Sequence, residues 1–130
     1  MLDQALKLTA EYASERVQFG RPIGSFQAVA QRLADGYIDV KGVRLTLWAA
    51  AWRLSEGLPS DGAVQTAKFW AADAGHRVGH TAVHVHGGVG LDEDHPVHRY
   101  FLAAKHHEFL LGNATDQLRA LGKELAAVPA

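Results

Sequence analysis

The chain has no cysteine. Disulfides, a thiolate nucleophile and cysteine zinc sites are therefore excluded, and no thiol records the redox compartment. Excess charge of either sign is also missing: Lys+Arg number 13 against Asp+Glu 14, a formal net charge of −1. That balance leaves no electrostatic footprint for nucleic acid. Long apolar runs are absent. The longest, Leu45 to Ala51, is flanked by Arg44 and Arg53 and is too short to span a bilayer. Met1-Leu2-Asp3-Gln4 carries neither a basic nor an apolar leader region, so no secretory signal is visible. No β-alternation of useful length occurs, and there are no internal repeats. The expectation is a soluble, cytoplasmic domain without a nucleic-acid or membrane partner.

What is present is helical periodicity. At 130 residues, 48% of them hydrophobic, the chain is long enough for one domain with a core. Residues 2–17 read as a first helix, and Gln18 to Ser25, with Gly20, Pro22 and Gly24, as a loop. Ser25 is a candidate N-cap for a second helix over 26–56. Its apolar positions, from Phe26 and Val29 through Leu33, Tyr37, Val40, Val43, Leu47 and Ala51 to Leu54, recur about every 3.5 residues, as in a bundle seam. Gly57-Leu58-Pro59-Ser60 stops it, and Ser60 or Asp61 can cap a third helix reaching His86. Along that helix Ala67, Ala71, Ala74, Gly75, Gly79 and Ala82 form a row of small residues, which lets helix backbones approach closely. Pro96 fits the first position of a fourth helix over 96–110. Gly112-Asn113 ends it before a short helix over 115–125. The pattern predicts an all-α fold, an antiparallel four-helix bundle with long helices, over residues 1–125, followed by a flexible tail over 126–130. The first helix begins almost at Met1 without a cap or lead-in, as if the chain were part of a longer protein.

All eight histidines lie between His76 and His107. His76, His80 and His84 are four residues apart and share one broad helix face. Two readings stay open: a metal-binding face, or a polar face whose histidines bond to neighbours and solvent. No Glu-x-x-His of the di-iron bundles occurs, and His106-His107 point to adjacent sides of a helix. Hydrolase and dinucleotide-fingerprint templates fail too, since neither Gly-x-Ser-x-Gly nor Gly-x-Gly-x-x-Gly is present. His84-Val85-His86-Gly87-Gly88-Val89-Gly90 reads as a helix C-cap and turn, or as a backbone that lets a phosphate-bearing ligand approach.

Glu15-Arg16-Val17-Gln18-Phe19-Gly20-Arg21-Pro22-Ile23, followed by Phe26-Gln27, resembles the C-terminal helical domain of acyl-CoA dehydrogenases. His84 to Gly90 and Pro96-Val97-His98-Arg99-Tyr100 fall where that family has Gln-x-x-Gly-Gly-x-Gly and a following Pro-Val segment. The resemblance covers residues 2–124. It implies a part in FAD-dependent α,β-dehydrogenation of an acyl-CoA thioester, within a tetramer whose core this domain forms. It also implies contacts to the ADP part of a neighbouring subunit's FAD from Arg16, Gln18, Phe19, His84, Gly87 and Gly88. Arginine's donor fork suits pyrophosphate oxygens, and glycines admit close approach.

The departures are equally specific. Where many members have a Tyr-Glu-Gly-Thr segment carrying the base, this chain has Leu110-Leu111-Gly112-Asn113. Leu111 cannot accept a proton. Some members carry the base upstream of the segment matched by Met1. His84 replaces the usual glutamine, and Leu102 a common arginine. His98 to Lys105 and Leu111 to Thr115 resemble the actinobacterial branch acting on steroid-CoA side chains, whose members form heteromers in which one subunit lacks the base. The expectation is a homo- or hetero-oligomeric partner of an acyl-CoA-using enzyme, with no catalytic residue of its own and no activity alone. The alternatives are a His-rich metal-binding bundle and a purely structural assembly module.

Overall fold

A computed structural model describes residues 1–127. The helices are α1 (Leu2–Glu15), α2 (Gln27–Ser55), α3 (Asp61–His86), α4 (Pro96–Phe109) and α5 (Ala114–Ala126). Helix α3 packs against each of the others, and α1 also meets α2 and α4, so α1–α4 form the expected antiparallel bundle with α5 laid along α3. Of the expected tail, residues 128–130 lie outside the described residues, and α5 itself runs to Ala126.

Small residues make the close packing possible. Ala74, Gly75, Gly79 and Ala82 of α3 are buried, and a Cβ at Gly79 would lie 3.3 Å from the Cβ of Ala104 on α4. The row of small residues is thus a helix-packing face. On α1 the buried positions are Ala5, Thr9 and Ala13, four apart, and the Thr9 hydroxyl donates to the Ala5 carbonyl at 2.7 Å. Gly42 of α2 faces Trp70, where a Cβ would come within 2.7 Å of the indole.

The α2 seam differs from expectation. Gly36, Asp39, Val40 and Ala50 are its buried residues, whereas Tyr37, Leu47, Ala51 and Leu54 are exposed. A straight helix of 3.6 residues per turn drifts off a 3.5-residue repeat, so the stripe turns away from α3. Buried Asp39 joins α2 to α3 through Arg77, whose Nε and Nη2 donate at 2.8 and 2.7 Å. Arg77 also pairs with Asp73. These hydrogen bonds raise the guanidinium's pKa, so the pair stays charged.

Three local details also depart from expectation. The first helix stops at Glu15, and a small antiparallel ladder, β1 (Val17–Gln18) and β2 (Arg21–Pro22), follows it. Phe26 rather than Ser25 occupies the N-cap of α2, because the Ser25 hydroxyl donates to the Pro22 carbonyl at 2.7 Å in a 3-10 turn. Ser60 is the N-cap of α3 but makes no side-chain cap bond. Pro96 does open α4, with His95 Nδ1 accepting from the Val97 amide.

Candidate cofactor-binding site

The ladder is a hairpin whose two-residue tip is Phe19-Gly20, with φ of 53° and 78°. Two consecutive positive φ values are the requirement of a type I′ turn, normally met by Asn-Gly. Glycine suits its position. Phenylalanine in the left-handed region does not, because its Cβ crowds the backbone there. The strain brings no burial: Phe19 is 92% exposed, with Phe26 edge-on to it at 6.1 Å between centroids. The Arg21 guanidinium lies 4.2 Å above the Phe26 ring.

Between this hairpin and the end of α3 runs a groove of about 270 Å³ lined by Gln18, Phe19, Phe26, Arg32, His84 and neighbouring apolar residues. Gln18, Phe19 and His84, expected from the sequence to act together, therefore share one surface. Arg16, Gly87 and Gly88 are outside its lining. Arg16 ends α1 and is exposed, its amide bonded to the Tyr12 carbonyl at 2.9 Å. Phe26 and Arg32 complete the groove. Phe26 belonged to the recognised motif, but Arg32, two turns into α2, carried no signal in the sequence.

The glycine segment forms a 3-10 helix, Gly87–Leu91, rather than an open loop. Its glycines do different things. Gly87 has φ of 65°, which ends α3. Gly90 is a packing glycine, since a Cβ there would lie 2.8 Å from the Val83 carbonyl oxygen. Gly88 has neither role: its φ is not positive, and an added Cβ would meet nothing within 4 Å. Its bare backbone is open to a molecule arriving from outside.

His86 holds this segment in place. It is buried, its Nδ1 donates to the Ala82 carbonyl at 2.8 Å, and its ring stacks on Tyr12 at 4.3 Å. Burial pushes its pKa below the ordinary histidine value, more than the Ala82 bond raises it, and nearby His95 lowers it further. His86 is therefore a neutral core histidine, while His84, two residues earlier on the opposite face of the helix, is exposed.

Arg16, Arg21 and Arg32 have no carboxylate partner among the described residues, a state they share with Arg53, Arg99 and Arg119 but not with Arg44 and Arg77. Unpaired guanidiniums, an exposed aromatic ring and open glycine backbone fit a dinucleotide carrying a pyrophosphate and a purine. These residues thus match the requirements of the ADP half of FAD.

The base position lies elsewhere. Leu111 has φ of 62° and is 83% exposed. Glu108 does not take its place. The Glu108 carboxylate accepts from Lys105 Nζ at 2.6 Å and lies 3.1 Å from His76 Nδ1. Burial raises its pKa, but the bonds from Lys105 and His76 outweigh this and hold it below the ordinary carboxylate value. A carboxylate stabilised as the anion and bonded to a lysine ammonium is a weak proton acceptor.

The histidine ladder on α3 is divided among neighbours. His76 goes to Glu108, and His80 packs its ring against Phe101 at 5.2 Å, edge to face. Burial lowers the His80 pKa, and His76 and Lys105 lower it further. Among the described residues no group of three or more histidine, aspartate or glutamate side chains is placed to hold a metal ion.

The model of the acyl-CoA dehydrogenase C-terminal domain matches residues 1–126. The acyl-CoA dehydrogenase FadE27 of Mycobacterium tuberculosis is 67% identical over 100% of this chain and 37% of its own length. Among solved structures, the ChsE4–ChsE5 complex from Mycobacterium tuberculosis superposes with a TM-score of 0.96 at 71% identity, covering 99% of this chain and 35% of that one. A variant of the Tcur3481–Tcur3483 steroid ACAD gives a TM-score of 0.93 at 45% identity, over 96% of this chain and 35% of that one. The chain spans just over a third of the length of these relatives. With motif order, helix layout and matched length in agreement, the chain belongs to the acyl-CoA dehydrogenase family, as its C-terminal helical domain.

Proposed function

We infer that this chain serves an FAD-dependent acyl-CoA dehydrogenase by building the subunit assembly and by holding the ADP part of a flavin shared with a neighbouring subunit. The observation that carries this reading is Phe19: a strained phenylalanine at a turn position that favours asparagine, 92% exposed with only an edge-on contact to Phe26. Strain of this kind is retained where a ligand or partner rewards it. Arg16 would pair with the pyrophosphate, Gln18 and His84 would offer hydrogen bonds at the groove edge, and Gly87-Gly88 would admit the ligand to the backbone.

When bound, FAD supplies the acceptor for the β-hydride in α,β-dehydrogenation. The α-proton needs a carboxylate that this chain does not offer, since Leu111 is inert and Glu108 is held as a stabilised anion. The base therefore comes from outside these 130 residues, and the isolated chain is inactive. The assembly role rests on α2, where Ile38, Leu45, Trp48 and Trp52 are all exposed. Ile38, Leu45 and Trp52 are seven residues apart, as on one helix seam, and such a patch marks a protein interface. The two heteromeric relatives, one a steroid ACAD, support a hetero-oligomer acting on a steroid side-chain CoA thioester.

The test is Arg16→Ala in the full-length, assembled enzyme. Flavin content per complex falls if the reading holds. Unchanged flavin content would leave only the assembly role. Acyl-CoA-dependent dye reduction by the isolated chain would overturn the claim of inactivity.

A further inference from the structure

Arg32 stands at a junction. It lines the groove of Phe19, Phe26 and His84 on one side, and on the other the polar groove of Asp35, Asp39, His76 and His80 between α2 and α3. It forms no ion pair among the described residues with either carboxylate: Asp39 is committed to Arg77, and Asp35 is not paired with it. It is the one charged side chain among the lining residues of the first groove. The remainder of that lining is aromatic and aliphatic, from Phe19, Ile23, Phe26, Val29 and Val85, with Gln18 and His84 as polar edges. A slot with apolar walls, two hydrogen-bonding edges and one planar cation suits a purine ring better than a phosphate. A guanidinium stacks on a heteroaromatic face and remains weakly hydrated there.

We propose that Arg32 is a binding residue for the adenine ring of the dinucleotide, stacking on it from the α2 side and closing the groove. The proposal rests on the flavin reading above, with Arg16 at the pyrophosphate and Arg32 at the base. Stacking needs the guanidinium plane, so a lysine at this position keeps the charge but loses the contact.

The test uses the full-length assembled enzyme stripped of flavin and titrated with FAD, followed by fluorescence quenching. Apoenzyme melting serves as the fold control. Arg32→Gln is expected to weaken FAD binding about 3- to 30-fold, the span of a cation–π contact from exposed to desolvated. Arg32→Lys is expected to recover little of that loss, with apoenzyme melting unchanged in both. Phe19→Asn and Arg16→Ala are measured in parallel. If they weaken FAD binding while Arg32→Gln binds as the parent does, the Arg32 proposal is overturned and the flavin reading stands. Full rescue by Arg32→Lys would also overturn it, because charge alone would then suffice. If none of the variants changes FAD binding, both the flavin reading and the Arg32 proposal fail.

Discussion

The hairpin tip and the junction between α4 and α5 use the same materials, a bulky residue and then a glycine, both at positive φ. Phe19-Gly20 and Leu111-Gly112 are the two pairs. At the junction the chain compensates the strain itself. Gln117 Nε2 donates to the Leu111 carbonyl at 3.0 Å, and Gly112 N–H to Phe109 at 3.2 Å. Asn113 and Asp116 close a reciprocal capping box at 3.1 Å each way. At the hairpin no side chain caps the tip: a Cβ at Gly20 would meet open space, and the Phe19 ring, edge-on to Phe26, otherwise faces solvent. The junction is what the fold needs; the hairpin tip, on the proposed reading, serves a molecule outside the chain. That difference separates structural from functional strain without reference to any relative.

Substitutions sharpen the contrast. The largest loss of stability is expected at Gly90, which belongs with the self-satisfied group. In Gly90→Ala the new methyl group meets the Val83 backbone, which cannot move aside as a side chain would. Chemical denaturation should show a loss of about 2 kcal/mol, typical of overpacking. Asn113→Ala removes a cap acceptor from the Asp116 amide and should cost about 1 kcal/mol.

Acid should act on the self-satisfied region too. The folded pKa of His86 lies below the ordinary value of 6.5, so between the two the unfolded chain binds a proton that the folded chain refuses. The stability from neutral His86 is complete above pH 6.5 and declines as pH falls below it. Melting temperature should drop from pH 7 towards pH 5, and His86→Phe, which keeps a ring against Tyr12, should flatten that slope. An identical slope in parent and variant would remove His86 from the account. The Glu108 contribution falls in a separate window, below about pH 4.5.

At the hairpin the stability change should be smallest. Phe19→Asn places a residue suited to the turn and should leave stability within about 0.5 kcal/mol. The same substitution should lower flavin retention in the assembled enzyme. A large destabilisation would mean that the ring is a structural contact after all.

The helices were legible because their signals are local: small-residue spacing on α3, Pro96 at a helix start, and Gly112-Asn113 at a break. The hairpin was hidden because two residue pairs are too few to alternate, and Phe-Gly replaces the Asn-Gly that marks such turns. Ser25 looked like a cap, but its hydroxyl is taken by the preceding turn. In the candidate site, Gln18, Phe19 and His84 were found through ordered motifs. Arg32 was not, since it reaches the groove only when α2 passes the end of α3. Nor does spacing show that Gly87, Gly88 and Gly90 differ, because that depends on φ and on which atom faces each Cα.

The claim that the open end of the bundle receives a flavin from another subunit is tested most directly at Gly88. Gly88→Leu fills space that this chain leaves empty, at a φ that is not in the left-handed region. In the full-length assembled enzyme, the expected result is unchanged apoenzyme melting with flavin per complex sharply reduced. Flavin occupancy and FAD affinity equal to the parent's would contradict it.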